Sequence, residues 1–317
     1  MTHSKSADNP HFSIVIPVYN KGPHVARAVN SVLKQTCSDF ELLLVDDAST
    51  DDSLEVIRTF DDPRIRLFHR NESGPGGYAA RNLGIEEARA EWVAFLDADD
   101  EWYPEHLQKL LELSRRYPEA GVLASGREIV QKDGSIIRGD YILRHKSRGS
   151  HFLDLDHYLE VFVQGMRPIW TSVACIRRDV IRQAGGFPDG ISKRGGDIDT
   201  WLRCIEQAGG MAWSNHIGAR YYKDAINMVT STNINTADAE LATVRRLLKK
   251  YRGRTARLLK MFANNRNMKA FKEHKKVTGE KKYSYLTRLY LSVIPIHKIP
   301  RYLTGSAAKK VNNSQNA

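Results

Sequence analysis

Three cysteines, Cys37, Cys175 and Cys204, are all that the 317 residues contain, and no two form a C-x-x-C pair. So few, so far apart, they exclude a disulfide framework and a zinc ribbon and suit a reducing compartment. Long apolar runs are also missing. The nearest, LYLSVIPI at 289–296, falls far short of the roughly 20 residues that cross a bilayer, and it carries Pro295. The opening MTHSKSADNPHF lacks the apolar core of a signal peptide. These absences predict a cytoplasmic protein. Internal repeats are not visible. Acids are scarce only towards the end: from Leu241 onward two acids face 20 Lys and Arg, a net charge of +18. The preceding 240 residues hold 28 basic and 35 acidic residues, so an acidic body carries a basic tail. Such asymmetry suggests two jobs.

What is present, 41% hydrophobic and 27% charged, is the composition of a soluble globule. FSIVIPV (12–18), FELLLVDD (40–47), RIRLFHR (64–70) and the run ending at Leu96 read as strands. Their β-branched, continuous apolar character is that of strands covered on both faces. Helical spacing separates them, at Val25, Val29, Val32 and Leu33, at 53–60, and at 77–90 after the glycines of GPGG. A further helix runs from about Pro104 to Tyr117. Strand–helix alternation predicts a mostly parallel sheet flanked by helices, with ligands beyond the carboxyl ends of its strands. Those ends read PVYN, VDDAST and LDADD, so acids and an aromatic ring share one rim. After residue 120 the rhythm changes. A hairpin is expected at Asp133-Gly134, a helix at 154–164, a strand entering a helix at 170–181 and a short helix at 200–209.

Four segments in this order resemble glycosyltransferase family 2, over about residues 12 to 224: SIVIPVYN (13–20), VDDAST (45–50), Asp97-Ala98-Asp99 and GGDIDTWLR (195–203). The resemblance implies a GT-A fold and an inverting, metal-dependent transfer of sugar from a nucleotide donor, a UDP-sugar, to a hydroxyl. It implies that Asp99 binds Mg²⁺ or Mn²⁺, that Asp97 faces the ribose or a metal-bound water, and that Asp47 accepts from the uracil N–H. Pro17 and Tyr19 fall at the nucleobase, and Asp197 becomes the base. An oxygen-loving cation between Asp99 and the diphosphate turns repulsion into attraction. Asp100 and Glu101 suit the start of the next helix, and Asp46 the turn amides. Asp199 is a second acceptor-side carboxylate or a helix N-cap; Trp201 lines the acceptor pocket or fills the core. GPGG is an amide cradle or an entry to its helix, and Arg81 reaches the phosphates or stands in solvent. Two departures stand out. The Glu that usually precedes the base is Gly196, and no His occurs in YYKDAINMVTS (221–231), which leaves Asp224 or His216 as late metal ligands. Without a Q-x-x-R-W segment, a single addition is expected rather than a processive one.

The expected segments are a disordered N-terminus (1–11), a GT-A domain (12–236) with a nucleotide-sugar-binding half (12–118) and an acceptor-binding half (119–236), a basic helical C-terminal extension (237–305) and a disordered tail (306–317). The extension has no nucleic-acid recognition motif. YLTRLYLSVIPIHKIPRYL (285–303) mixes apolar and basic residues as an interfacial segment does. Attraction to the anionic inner face of the cell membrane, where a lipid-linked or saccharide acceptor sits, is the favoured reading over a solvated end. Pathway-level expectation is assembly of bacterial polysaccharide or lipopolysaccharide. A sugar-nucleotide pyrophosphorylase needs a G-x-G-T-R-like loop that PVYNKGPH lacks, and intact Asp99 and Asp197 argue against a mere binding protein.

Overall fold

The computed structural model describes residues 9–225, 233–279 and 282–294. The end of 221–231, the last part of 285–303 and the tail 306–317 lie outside these, as do residues 1–8 of the expected disordered N-terminus.

Phe12–Val18 (β1) leads through the helix Gly22–Leu33 (α1) to Phe40–Asp46 (β2), then through Ser53–Arg58 (α2) to Ile65–His69 (β3). Tyr78–Glu87 (α3) returns the chain to Trp92–Phe95 (β4). All four strands are parallel, in the order β3-β2-β1-β4. The side-chain period of two divides the apolar runs between two cores. Val15, Leu43 and Val45 join one, while Ile14, Ile16, Leu42 and Leu44 join the other.

Glu101–Trp102 (β5), His106–Arg116 (α4), Val122–Val130 (β6), Ile136–Arg138 (β7) and Asp140–His145 (α5) follow. His151–Asp154 (β8), Leu155–Val163 (α6), Ala174–Arg177 (β9) and Arg178–Gln183 (α7) come next. Gly196–Ala208 (α8) then enters Gly210–Tyr222 (β10). β9 is antiparallel to both its neighbours, β4 and β6, and so joins the halves into one sheet. The hairpin is present, with Gly134 at φ 80° between antiparallel β6 and β7. Unexpected was β10, whose GMAWSNHIGARYY shows no clean alternation. Its pairing with β6 shifts register between Ser214 and Ile217 and again before Ala219, and bulges of that kind erase a period-2 signal.

Asp238–Lys250 (α9) and Gly253–Thr278 (α10) follow. Val244, Leu247, Leu259, Phe262 and Phe271 from these helices are fully buried in the same core as Val15, each contributing about 1.5–3 kcal/mol. The described part of 285–303 packs in part on α10. Tyr285 is buried and Asn267 of α10 donates to its carbonyl, while Tyr290 exchanges hydrogen bonds with Asn264. Among the described residues, no helix is long and apolar enough to cross a membrane.

Candidate active site

At the carboxyl ends of β1, β2 and β4 lies a cleft of about 530 Å³. Pro17, Tyr19, Asp47, Asp97 and Asp99 all line it; Asp197 does not. Sharp turns build the rim. Asn20 (φ 51°) follows β1 and accepts the Thr50 amide on its side chain at 2.8 Å, and Ala48 (φ 58°) follows β2. These left-handed residues turn the chain back at once, so the strand-end acids stay on the edge. Tyr19 is 43% exposed, so its ring is open to the cleft rather than packed in the core.

Three acids of the rim, Asp47, Asp97 and Asp99, each meet a cation. Lys21 Nζ lies 2.6 Å from Asp99 Oδ2, and Arg81 Nη2 lies 2.5 Å from Asp97 Oδ1. Arg70 pairs with the buried Asp47, whose other oxygen accepts the Gly74 amide at 3.1 Å. Arg27 donates to the Asp99 carbonyl and lies 3.6 Å over the Tyr222 ring. Burial nonetheless pushes Asp47 and Asp97 above the ordinary carboxylate range, against the pull of Arg70 and Arg81; Asp99 and Asp197 add to the rise at Asp97. Asp100 goes well above that range, by burial and by its neighbours Asp99 and Asp97, and takes the Ser172 hydroxyl and the Tyr222 amide. It is structural, as is Asp46, which holds His69 Nδ1 at 2.7 Å and the Ser49 amide.

The 74–77 loop is held to the cleft by Asp47 and by Arg81, which donates to the Gly76 carbonyl at 2.7 Å. Gly76 has φ 73°, and a Cβ there would sit 2.8 Å from the Tyr78 ring. Only glycine satisfies both demands.

Asp197 stands in the first turn of α8, half-buried, with neither hydrogen bond nor ion pair among the described residues. Its field reaches Asp97, Tyr78 and Arg167. The Gly196 amide donates to Tyr78 Oη at 2.8 Å, tying α8 to α3. Space explains the absent Glu: a Cβ on Gly196 would lie 2.5 Å from Pro188 Cγ and 2.9 Å from Tyr78 Cζ. Asp199 is not the N-cap, which is Gly195; it is buried and bound to Arg203 at 2.8 Å one turn on. Trp201 is a core residue, 1% exposed, against Phe95 and Phe187.

Among the described residues, no three His, Cys, Asp or Glu converge as a metal cage. A hard cation completed by diphosphate oxygens needs only one or two carboxylates. Asp99 fits that demand, because its oxygen faces the cleft and its partner is a displaceable ammonium. His216 does not fit as a further ligand: it lies beside His106, Glu105, Lys109 and Glu112, in a separate pocket with Tyr103. Asp224 is on the correct side, since both it and Asp99 act on His24.

Sequence reasoning missed Lys21 and Arg70 as partners of the acids. Their only signal was position, directly after β1 and at the end of β3. It also missed Tyr221 and Asn233, which close the cleft from distant parts of the chain.

Comparison with known proteins matches residues 13–181, more than half of the chain, to the model of Glycosyl transferase family 2. An uncharacterized glycosyltransferase of Nostoc sp. is 42% identical over 114 residues, 35% of each chain. The succinoglycan biosynthesis protein ExoO of Rhizobium meliloti is 36% identical over 132 residues, 41% of this chain and 36% of its own. The alignments span only 16% to 35% of the length of the first three curated relatives. Among solved structures, S. aureus TarS 1-349 superposes with a TM-score of 0.73 at 15% identity, covering 93% of this chain and 86% of that one. Its complex with UDP-GlcNAc gives 0.68 at 16% identity, over 93% and 79%. At such identity the likeness speaks to the fold, which is GT-A-like.

Proposed function

The chain belongs to glycosyltransferase family 2, and on that premise we propose that it moves a sugar from a UDP-sugar to a hydroxyl of a saccharide or lipid-linked acceptor, with inversion, in bacterial cell-surface polysaccharide or lipopolysaccharide synthesis. One observation carries the assignment of roles. Asp47, Asp97, Asp99 and Asp199 are each paired with a cation, while Asp197 has none among the described residues. A general base must be free to take a proton.

The acceptor oxygen bonds to the anomeric carbon as the bond from that carbon to the diphosphate breaks. The hydroxyl proton passes to Asp197, and the electron pair departs with UDP. Tyr19 offers its ring to the base. Asp47 has lone pairs left for a base N–H after serving Arg70 and Gly74. Lys21 and Arg81 turn to the phosphates when the donor enters. A Mg²⁺ or Mn²⁺ held by Asp99 supplies, when bound, neutralisation of the leaving diphosphate. TarS, solved with UDP-GlcNAc and with UDP, favours the uridine donor; ExoO, named for succinoglycan, favours polysaccharide assembly.

Docking on an anionic inner membrane is part of the same reading. Arg245, Arg246, Lys249 and Lys250 on α9, Arg252 between the helices and Arg257 on α10 stand exposed, and each basic residue near such a surface adds about 1 kcal/mol. Co-sedimentation with anionic vesicles that falls as salt rises is expected; equal capture by neutral vesicles rejects it. The catalytic reading is tested by a thermal-shift panel of sugar nucleotides with and without Mn²⁺, followed by hydrolysis of the best binder. A Mn²⁺-enhanced shift with one or more UDP-sugars is expected, and none with any UDP-sugar refutes it.

A further inference from the structure

A second cavity, of about 400 Å³, opens between β6, β7, the segment after α6 and α10. Arg127, Arg138, Arg167 and Lys269 line it, with Asp140 the acid among its lining residues. Arg127 is only 9% exposed. Its guanidinium lies 3.4 Å from the centre of the Trp170 ring and 5.0 Å from that of Tyr221, and its Nε is buried without a partner. Arg167 shares the same indole at 5.2 Å. Neither guanidinium forms an ion pair with a described carboxylate. Lys269 meets Glu273 at 3.9 Å and Arg138 meets Glu128 at 3.5 Å, both long contacts from half-exposed cations.

Buried charges are normally paired, because desolvation is costly otherwise. α10 itself shows the normal solution next door: Arg266, fully buried, is held by Glu240 at 2.7 Å. Arg127 has been given aromatic faces instead, which stabilise a cation while leaving its N–H groups free for an incoming anion. Burial pulls Arg127 down to about 10, against the more distant pull of Asp100, so its charge persists at neutral pH with no carboxylate bound to it among the described residues.

The cavity adjoins the reaction centre. Tyr221 belongs to the wall of the donor cleft and touches Arg127, while Arg167 lies within the field of Asp197. We infer that this cavity is an acceptor subsite for an anionic group, a phosphate or carboxylate carried by the acceptor saccharide, and that the acceptor is therefore an anionic glycan. The inference rests on Asp197 as the base, since that is what makes the neighbouring cavity the acceptor side. Guanidinium groups grip either anion through paired N–H bonds.

The test uses the full chain saturated with UDP, so that the donor cleft is filled. Calorimetric titration with glycerol phosphate, glucuronate and neutral glucose separates the anion types. One anion or both should bind, glucose should not, and Arg167→Gln should weaken the anion by about tenfold or more, as loss of a charge-assisted bond predicts. Arg127→Gln should do the same; should its burial make it misfold, the half-exposed Lys269→Gln replaces it. UDP affinity should stay within twofold in these variants. Glucose binding as well as the anions, anion binding unchanged in Arg167→Gln and Lys269→Gln, or displacement of the anion by further UDP would each overturn the subsite. Asp197→Asn separates the two readings. Full transfer in that variant with anion binding intact would refute the base and leave the anion site standing.

Discussion

The donor cleft and the cavity beside it handle charge in opposite ways. In the cleft, acids outnumber what the chemistry needs, and the chain supplies Lys21, Arg70 and Arg81 to hold them. In the cavity, cations gather; Arg138 and Lys269 have long contacts to Glu128 and Glu273, and Arg127 and Arg167 form no ion pair among the described residues. A cleft whose acids are already neutralised can admit a diphosphate by exchanging partners. A cavity that holds two guanidinium groups without an ion pair gains by taking in an anion. Between them stands Asp197, unpaired among the described residues and felt by both sides.

The comparison breaks most sharply at Asp197. Asp197→Asn keeps shape but cannot take a proton, so transfer should fall by about two to four orders of magnitude while donor binding holds. Asp199→Asn should instead weaken the link to Arg203 and lower the melting temperature. Rates and UDP affinity measured on both variants decide the matter. A crippled Asp199→Asn beside a mild Asp197→Asn would reverse the assignment.

Next in size is the buried pair that contrasts with Arg127. Glu240→Gln leaves Arg266 fully buried without a counter-charge, and breaking such a pair costs about 3–5 kcal/mol. Arg266 also lies under Gly195, where an added Cβ would strike Asn235 and approach Arg266 at 3.2 Å. Denaturant unfolding should show the loss. A variant as stable as the parent would mean that Arg266, like Arg127, tolerates isolation, and the contrast between the two would fade.

Lys21→Gln probes the exchange of partners in the cleft. It removes one charge-assisted contact to the phosphates, worth about 1.5–3 kcal/mol, and frees Asp99. UDP affinity without metal should fall by about ten- to a hundredfold, and Mn²⁺ should restore much of it. Unchanged affinity in the absence of metal would mean that Lys21 stays on Asp99 when the donor binds.

The first half of the fold was legible because its strands are buried on both faces and advertise themselves as apolar runs. The acids of the rim were legible for a related reason: Asp47, Asp97 and Asp99 follow those runs immediately. β10 was not, since its bulges break the period. α9 and α10 read as a basic appendage because charge dominates their composition. Their apolar residues, Val244, Leu247, Leu259 and Phe262, belong to the central core all the same. The cationic cavity was illegible in principle. Arg127, Arg167 and Lys269 come from three distant segments, and nothing local distinguishes them from solvated residues until the fold brings them to one wall.

The smallest effect is expected from Lys269, and it follows from pH. Burial, with Arg167 and Arg266 repelling its charge, lowers the Lys269 ammonium to about 8, against the opposing influence of Glu273 and with Arg194 adding to the fall. Because the folded value lies below that of the unfolded chain, the unfolded state holds more protons from about pH 8 upward. Stability should therefore rise slightly with pH over that window, the reverse of a paired lysine. Anion affinity should run the other way. A bound anion favours the charged ammonium, so affinity is greatest below pH 8 and falls a few-fold by pH 9, with proton uptake on binding. A phosphate monoester is already largely ionised at pH 7 and its further ionisation would raise affinity, while Arg127 stays charged until about 10, so neither produces the expected fall. Titration of glycerol phosphate at pH 7 and pH 9, in two buffers of different ionisation enthalpy, measures both quantities. Lys269→Arg should flatten the profile, because a guanidinium keeps its charge. The same decline in that variant would assign the titration to another group, and with it would go the contribution of Lys269 to the field that draws the acceptor in.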